Sequence, residues 1–187
     1  MTSFSIHTPE SAPAASRPIL EGAQKSLGFV PNLFGVMASS PALLEAYTSL
    51  SALQDAQTAF SETERQVLFL SVSHANGCEY CVAAHSTISS MKNVPADVVT
   101  ALRDGTALPE PKLEALRSFA LAVQESRGRV EESTLEAFRA AGYGDQHVLE
   151  VVLAIAFKSL SNYTSILTGT PLDAAFQPQA WQVPAGV

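Results

Sequence analysis

Apolar residues recur at three- and four-residue steps along most of the chain, and each run is bracketed by residues that start or stop helices. Leu43, Leu44, Tyr47, Leu50 and Leu53 make one such stripe, opened by Ser40-Pro41 and running to about Ala59, so a helix with one buried face is predicted there. Ser61-Glu62-Thr63-Glu64 has the spacing of a capping box and opens a second helix, SETERQVLFLSVSHA. Its stretch 67–72 is rich enough in β-formers to suit a strand, and the cap before it decides for helix. Asn76-Gly77 then breaks the run and puts Cys78 at or near the start of another helix. Elsewhere Arg17–Leu27, a short turn-like helix after Pro31, and helices over 95–103, 111–126, 131–141 and 145–168 are closed by Gly28, Gly105, Gly128, Gly142 and Gly169.

The pattern predicts an all-α helical bundle in a single domain over residues 17–187, preceded by an arm at 1–16. That arm is rich in Pro, Ser, Ala and Thr without apolar period, and orders only by lying on the rest. The helix DQHVLEVVLAIAFKSLSNYTSIL is apolar on most of its circumference, which fits a central core element or a contact between subunits. The tail PLDAAFQPQAWQVPAGV reads as a loop pinned by Phe176 and Trp181. One internal echo suggests a helical duplication: QVLFL stands twelve residues before Cys78 as EVVLA stands twelve before Asn162.

Composition narrows the function classes. With 16% charged residues and a net charge of −7, the chain has no electrostatic grip for nucleic acid. No basic and apolar leader opens the sequence and no run of 18 apolar residues goes uninterrupted, so a cytoplasmic protein without a membrane span is expected. The 2 cysteines are too few for a disulfide scaffold. Their spacing, Cys78-x-x-Cys81, points instead to redox or metal chemistry.

His74, Cys78, Cys81 and His85 offer four metal ligands on one helical face. At about 1.5 Å rise per residue, however, the two histidines lie roughly 16 Å apart on a continuous helix, far beyond bonds of about 2 Å to one ion. One ion therefore cannot reach all four, and no metal site is expected. For dithiol chemistry the spacing is better suited, since residues three apart on a helix are surface neighbours and their sulfurs approach bonding distance. A helix N-terminus near Cys78 and a histidine four residues beyond Cys81 both favour a thiolate. Being nearer to His85, Cys81 is the candidate nucleophile and Cys78 the resolving thiol. His74 is expected to pack or support, and His147 to cap or lie at the surface.

The segment ERQVLFLSVSHANGCEYCVAAHS resembles the signature of the alkylhydroperoxidase AhpD-like family, within the carboxymuconolactone decarboxylase superfamily. GFVPNLFGVMASSPALLEAY upstream and SNYTSILTGTPLD downstream resemble its longer, peroxidase-related branch, so the likeness runs from about Leu27 to Asp173. It implies a helical fold assembling as homotrimers or homohexamers. It also implies a dithiol site that reduces hydroperoxides without haem, flavin or metal; the expected partner that recharges it is a thiol reductant, dihydrolipoamide-like or another low-molecular-weight or protein thiol. In the family the second cysteine attacks and the first resolves, which agrees with the geometric choice.

Two positions depart from the family pattern. The proton-relay glutamate twelve residues before the first cysteine is Gln66 here, which hydrogen-bonds but carries no proton. The histidine that precedes the second cysteine in well-studied peroxidases is Tyr80. Glu64, Glu79 and Glu150 are the candidates to replace the lost carboxylate. Two other readings stay open: a redox sensor or scaffold without turnover, motivated by Gln66, and decarboxylase-type chemistry, which a dithiol does not serve.

Overall fold

The computed structural model describes residues 4–183, and every regular element among them is helical. The helices are α1 (Arg17–Leu27), α2 (Asn32–Met37), α3 (Pro41–Gln57), α4 (Glu62–Ala75), α5 (Glu79–Met91), α6 (Ala96–Asp104), α7 (Pro111–Ser126), α8 (Glu132–Ala140) and α9 (Asp145–Thr168). A short 3₁₀ turn, Ala174–Gln179, follows in the segment expected as a plain loop.

α4 is the axis of the fold. It touches α5, α6, α7 and α9, and every residue from Gln66 to Ser73 is buried. A helix surrounded on all sides must be apolar on all sides, which is why its sequence imitates a strand. Burial of Val67, Leu68, Phe69 and Leu70 stabilises the fold by about 1.5–3 kcal/mol each. The helix forms because its start is fixed: Ser61 Oγ accepts from the Glu64 amide, while Glu64 Oε2 accepts from the Ser61 amide at 2.9 Å.

α4 ends at Asn76, and Gly77 turns the chain in the left-handed region at φ 63°, so that α5 leaves at a new angle with Cys78 as its N-cap. α9 packs along α3, α4 and α5 and brings Phe157, Lys158, Ser161 and Asn162 into the interior. By length and mean hydropathy, 1.3, α9 would also suit a bilayer span. Here its inward face is built into the core.

The stripe predicted on α3 is turned from its expected phase at one end. Leu44 and Tyr47 are buried, but Leu53 is exposed and Gln54 lies inside. The N-terminal arm lies on α2: the His7 amide donates to Gly35 O at 3.0 Å, and Ser16 Oγ to Ala38 O at 2.8 Å. Gly35 makes that approach possible, since a β-carbon there would come within 2.7 Å of Ile6 Cγ2 and 2.8 Å of His7 O. At the other end the tail folds back over α5 and α6. Trp181 Nε1 donates to Arg103 O at 2.9 Å, Arg103 Nη1 donates to Gln179 O at 2.9 Å, and Phe176 meets the rings of Phe29 and Tyr80.

Candidate functional site: a buried thiol pair beside a lysine

Cys78 and Cys81 are free thiols in the first turn of α5, with 0% and 2% of their surface exposed. The break at Gly77 creates this turn. As N-cap, Cys78 accepts the Cys81 amide on its Sγ at 3.4 Å, which holds both sulfurs on one side of the helix start. The two thiols are driven apart in acidity. Burial raises Cys81, but the Cys78 thiol, the Lys158 ammonium and the side chains of Asn162 and Ser161 outweigh it and bring it down to about 6. Cys78 is pushed far up, first by its hydrogen bond to Cys81 and then by burial and the neighbouring charge. Near neutral pH the pair is a Cys81 thiolate receiving a hydrogen bond from a Cys78 thiol.

His85 follows one turn beyond Cys81 and is also buried. Burial and the charge of Lys158 push it well below the ordinary range, so it is a neutral imidazole. Its Nδ1 stands 2.9 Å from Gln66 Oε1, and Gln66 Nε2 donates to Glu62 Oε1 at 2.9 Å. The chain of bonds fixes the tautomer. A carboxylate only accepts, so the Gln66 amino group faces Glu62, its carbonyl faces His85, and the imidazole proton sits on Nδ1. The lone pair is left on Nε2.

Glu62 is the carboxylate that the sequence reading missed. Burial raises its pKa, but Gln66, Arg65 and Lys92 lower it further, with Arg65 Nη2 at 2.6 Å and Lys92 Nζ at 3.7 Å. Its signal was the four-residue step from Glu62 to Gln66 on a capped helix. The three glutamates considered in its place are committed elsewhere. Glu64 closes the cap and pairs with Lys112 at 2.9 Å and Tyr143 at 3.0 Å. Glu79 is exposed and accepts the Val183 amide, and Glu150 accepts the Ala59 amide at 2.8 Å.

Tyr80, at the position of the family's extra histidine, ties the tail to the core. It donates to Asp173 Oδ2 at 2.6 Å, and Asp173 also accepts the Asn32 amide that opens α2. Burial and Asp173 push its phenol well above the usual value. His74 meets the Trp181 ring at a tilt of 53°, 5.2 Å between centroids, and does not line the chamber that Cys81 faces. His147 Nδ1 accepts the Gly144 amide at 3.1 Å and caps α9. Among the described residues no three His, Cys, Asp or Glu side chains gather as a metal-binding group.

Cys81, His85, Gln66 and Lys158 share the wall of a chamber of about 520 Å³, whose other walls include Phe34, Tyr47, Phe69, Tyr80, Phe157 and Phe176. Gln54 lines it too, with both amide atoms buried and without a hydrogen-bond partner among the described residues. Lys158 was not singled out in the sequence, because one lysine in an apolar helix looks like a surface residue. Only its depth distinguishes it.

Residues 41–124 match the model of the carboxymuconolactone decarboxylase family. Among solved structures the chain is similar to an alkylhydroperoxidase AhpD core, an uncharacterized peroxidase-related protein from Ralstonia eutropha JMP134. The identity is 27%, with TM-score 0.82, over 94% of this chain and 96% of that one. A peroxidase-related protein from Silicibacter sp. TM1040 shares 22% identity with TM-score 0.78, over 92% and 91% of the two chains. The debrominase Bmp8 shares 22% with TM-score 0.78 over 96% of each, and was also solved as a cysteine-to-alanine variant with 2,3,4-tribromopyrrole. No curated protein matches the chain significantly.

Proposed function

Because the chain belongs to the AhpD-like group of the carboxymuconolactone decarboxylase superfamily, we propose that it is a thiol-dependent peroxidase that reduces organic hydroperoxides through Cys78 and Cys81. The observation that carries this reading is a buried thiol pair at the start of α5, with Cys78 as its N-cap and Cys81 on the wall of an apolar chamber, their acidities driven apart so that Cys81 is the readier to ionise.

Cys81 thiolate attacks the terminal oxygen of the peroxide, the O–O bond breaks, and an alkoxide leaves with a proton from the protein. Cys81 is then a sulfenic acid. His85 Nε2 takes the thiol proton of Cys78, whose sulfur displaces hydroxide from Cys81. The proton and hydroxide leave as water and a Cys78–Cys81 disulfide remains. A dithiol reductant of the dihydrolipoamide kind reopens it by exchange. Gln66 carries no proton in this scheme. It holds His85 in the tautomer that accepts one, and Glu62 holds Gln66. Aromatic walls favour a bulky organic peroxide over hydrogen peroxide, and the unpartnered Gln54 amide receives a polar group of that substrate. The same reading takes the protein as a cytoplasmic homotrimer or homohexamer.

The test is peroxide consumption with cumene hydroperoxide and excess dihydrolipoamide, with thiols counted by mass spectrometry. Cys81→Ser abolishes turnover. With reductant left out, Cys78→Ser consumes about one peroxide per chain and stops at the sulfenic acid. His85→Gln slows turnover by about 10²-fold or more. A wild-type protein that forms the disulfide without consuming peroxide in cycles favours the sensor reading. Release of bromide from a brominated pyrrole, with no peroxide activity, favours the chemistry of the debrominase neighbour, whose flat ligand suits an aromatic chamber of this size.

A further inference from the structure

Lys158 has no exposed surface, and its Nζ has neither a hydrogen-bond partner nor an ion pair among the described residues. It lies 5.4 Å from the centroid of the Phe157 ring and 5.9 Å from that of Phe69. Those faces attract a cation but satisfy none of its three donors. A buried ammonium persists only against an anion, or gives up its proton.

The other ionisable groups of the chamber are already engaged. On α3, Tyr47 is held protonated by burial and by the charge of the cysteines, and Asp55 is exposed, 3.8 Å from Arg65. On α4, Glu62 is taken by Arg65, Lys92 and Gln66. On α5, Tyr80 is bound to Asp173 and His85 is neutral. Lys92 faces Glu62 at the rim. The thiol pair alone remains, and the coupling is mutual: Lys158 lowers Cys81, while burial lowers Lys158 and the charge of Cys81 and Cys78 offsets part of that.

We propose that Lys158 is the counter-cation of the Cys81 thiolate and the acid that protonates the alkoxide leaving the peroxide. The second half rests on the peroxidase reading; the first is a property of the resting protein. In the reduced state the ammonium and thiolate neutralise each other. When Cys81 forms the S–O bond it loses its charge, and Lys158 is left a buried cation with nothing to face just as an alkoxide appears in the same chamber. The proton passes from Nζ to the alkoxide. Over the half-cycle, thiolate, thiol, ammonium and ROOH give disulfide, amine, ROH and water, with atoms and charge balanced. Reduction by an external dithiol restores the thiolate and returns the proton.

Two measurements test this. The first is the pH dependence of Cys81 alkylation by iodoacetamide, located by mass spectrometry, in wild type and Lys158→Met, with folding checked by circular dichroism. Wild type inflects near pH 6. In the variant the inflection moves upward and the rate near neutral pH falls by about tenfold or more. The second is the net proton change when wild type is oxidised by diamide at a pH where Cys81 is already ionised. Diamide takes up about two protons on reduction; Cys78 supplies one and Lys158 the other, so the net change is about zero.

Equal alkylation profiles in the two proteins overturn the pairing whether or not peroxide is consumed. A net uptake of about one proton per disulfide overturns the acid role, since Lys158 has then kept its proton. Should Lys158→Met fail to fold, wild type decides alone: an inflection at the ordinary thiol value of 9.0 sinks the pairing. Absence of peroxide turnover with both expected results intact removes the peroxidase reading and leaves the ion pair.

Discussion

Two glutamates two residues apart on α4 do opposite work. Glu62 reaches toward the chamber and holds Gln66, whereas Glu64 faces the packed side and meets Ser61, Lys112 and Tyr143. Burial raises Glu64, but Lys112, Ser61 and Tyr143 bring it down to about 2 from an ordinary 4.5. A carboxyl with a depressed folded pKa contributes stability that is complete above the unfolded value and disappears as pH falls through the folded one. Urea denaturation across a pH series is therefore expected to show wild type losing stability between pH 4.5 and about 2. Glu64→Gln is expected to be less stable by about 2 kcal/mol near neutral pH and to show a flatter acid limb. An unchanged limb would mean that these contacts do not form in solution. Tyr80 shows the same principle: a residue that reads as a missing histidine is a clasp between α5, the tail and the start of α2.

At the level of elements, the site depends on a helix break and a helix crossing. Gly77 ends α4 and aims α5 so that its N-cap is a cysteine, and α9 delivers Lys158 and Asn162 against it. A polar strut fixes the crossing: Gln124 donates to Asn76 at 2.7 Å, Asn76 to Asn162 at 2.9 Å, and Asn162 to Ser73 at 3.2 Å. The arm is held by a similarly local device. Gly35→Ala forces its β-carbon into Ile6 and the His7 carbonyl, and is expected to cost about 1–3 kcal/mol in denaturant unfolding and to speed proteolysis near residues 4–8. Wild-type behaviour on both counts would show that the arm does not rest on α2. Helix existence and most boundaries were legible in the chain because caps and glycines are local. The phase of α3 at Leu53 was not, since which side of a helix is covered depends on what packs beside it.

Across the whole molecule, α9 joins the chamber to the outside. Its inner face carries Lys158, while Leu149, Val152, Tyr163, Ile166 and Leu167 form an exposed apolar stripe on the opposite side. A stripe of this kind suits contact with further copies of the chain. Sedimentation velocity is expected to find an oligomer for wild type and smaller species for Leu149→Glu with Leu167→Glu; equal coefficients would place any contact elsewhere. The amino-acid sequence by itself determined the helical class, the capped entry to α4, the break before Cys78, and the spacing that puts two thiols on one turn and a histidine one turn beyond. These follow from interactions within a few residues, which composition and periodicity encode directly. Only the tertiary structure decided that Gln66 has Glu62 behind it, that Glu64 also meets Lys112 and Tyr143 while Glu150 takes the Ala59 amide, and that Lys158 is buried on the chamber wall it shares with Cys81. Charge and burial at those positions are set by neighbours distant in sequence, and electrostatic energy depends on the depth at which the groups meet, which no local pattern records.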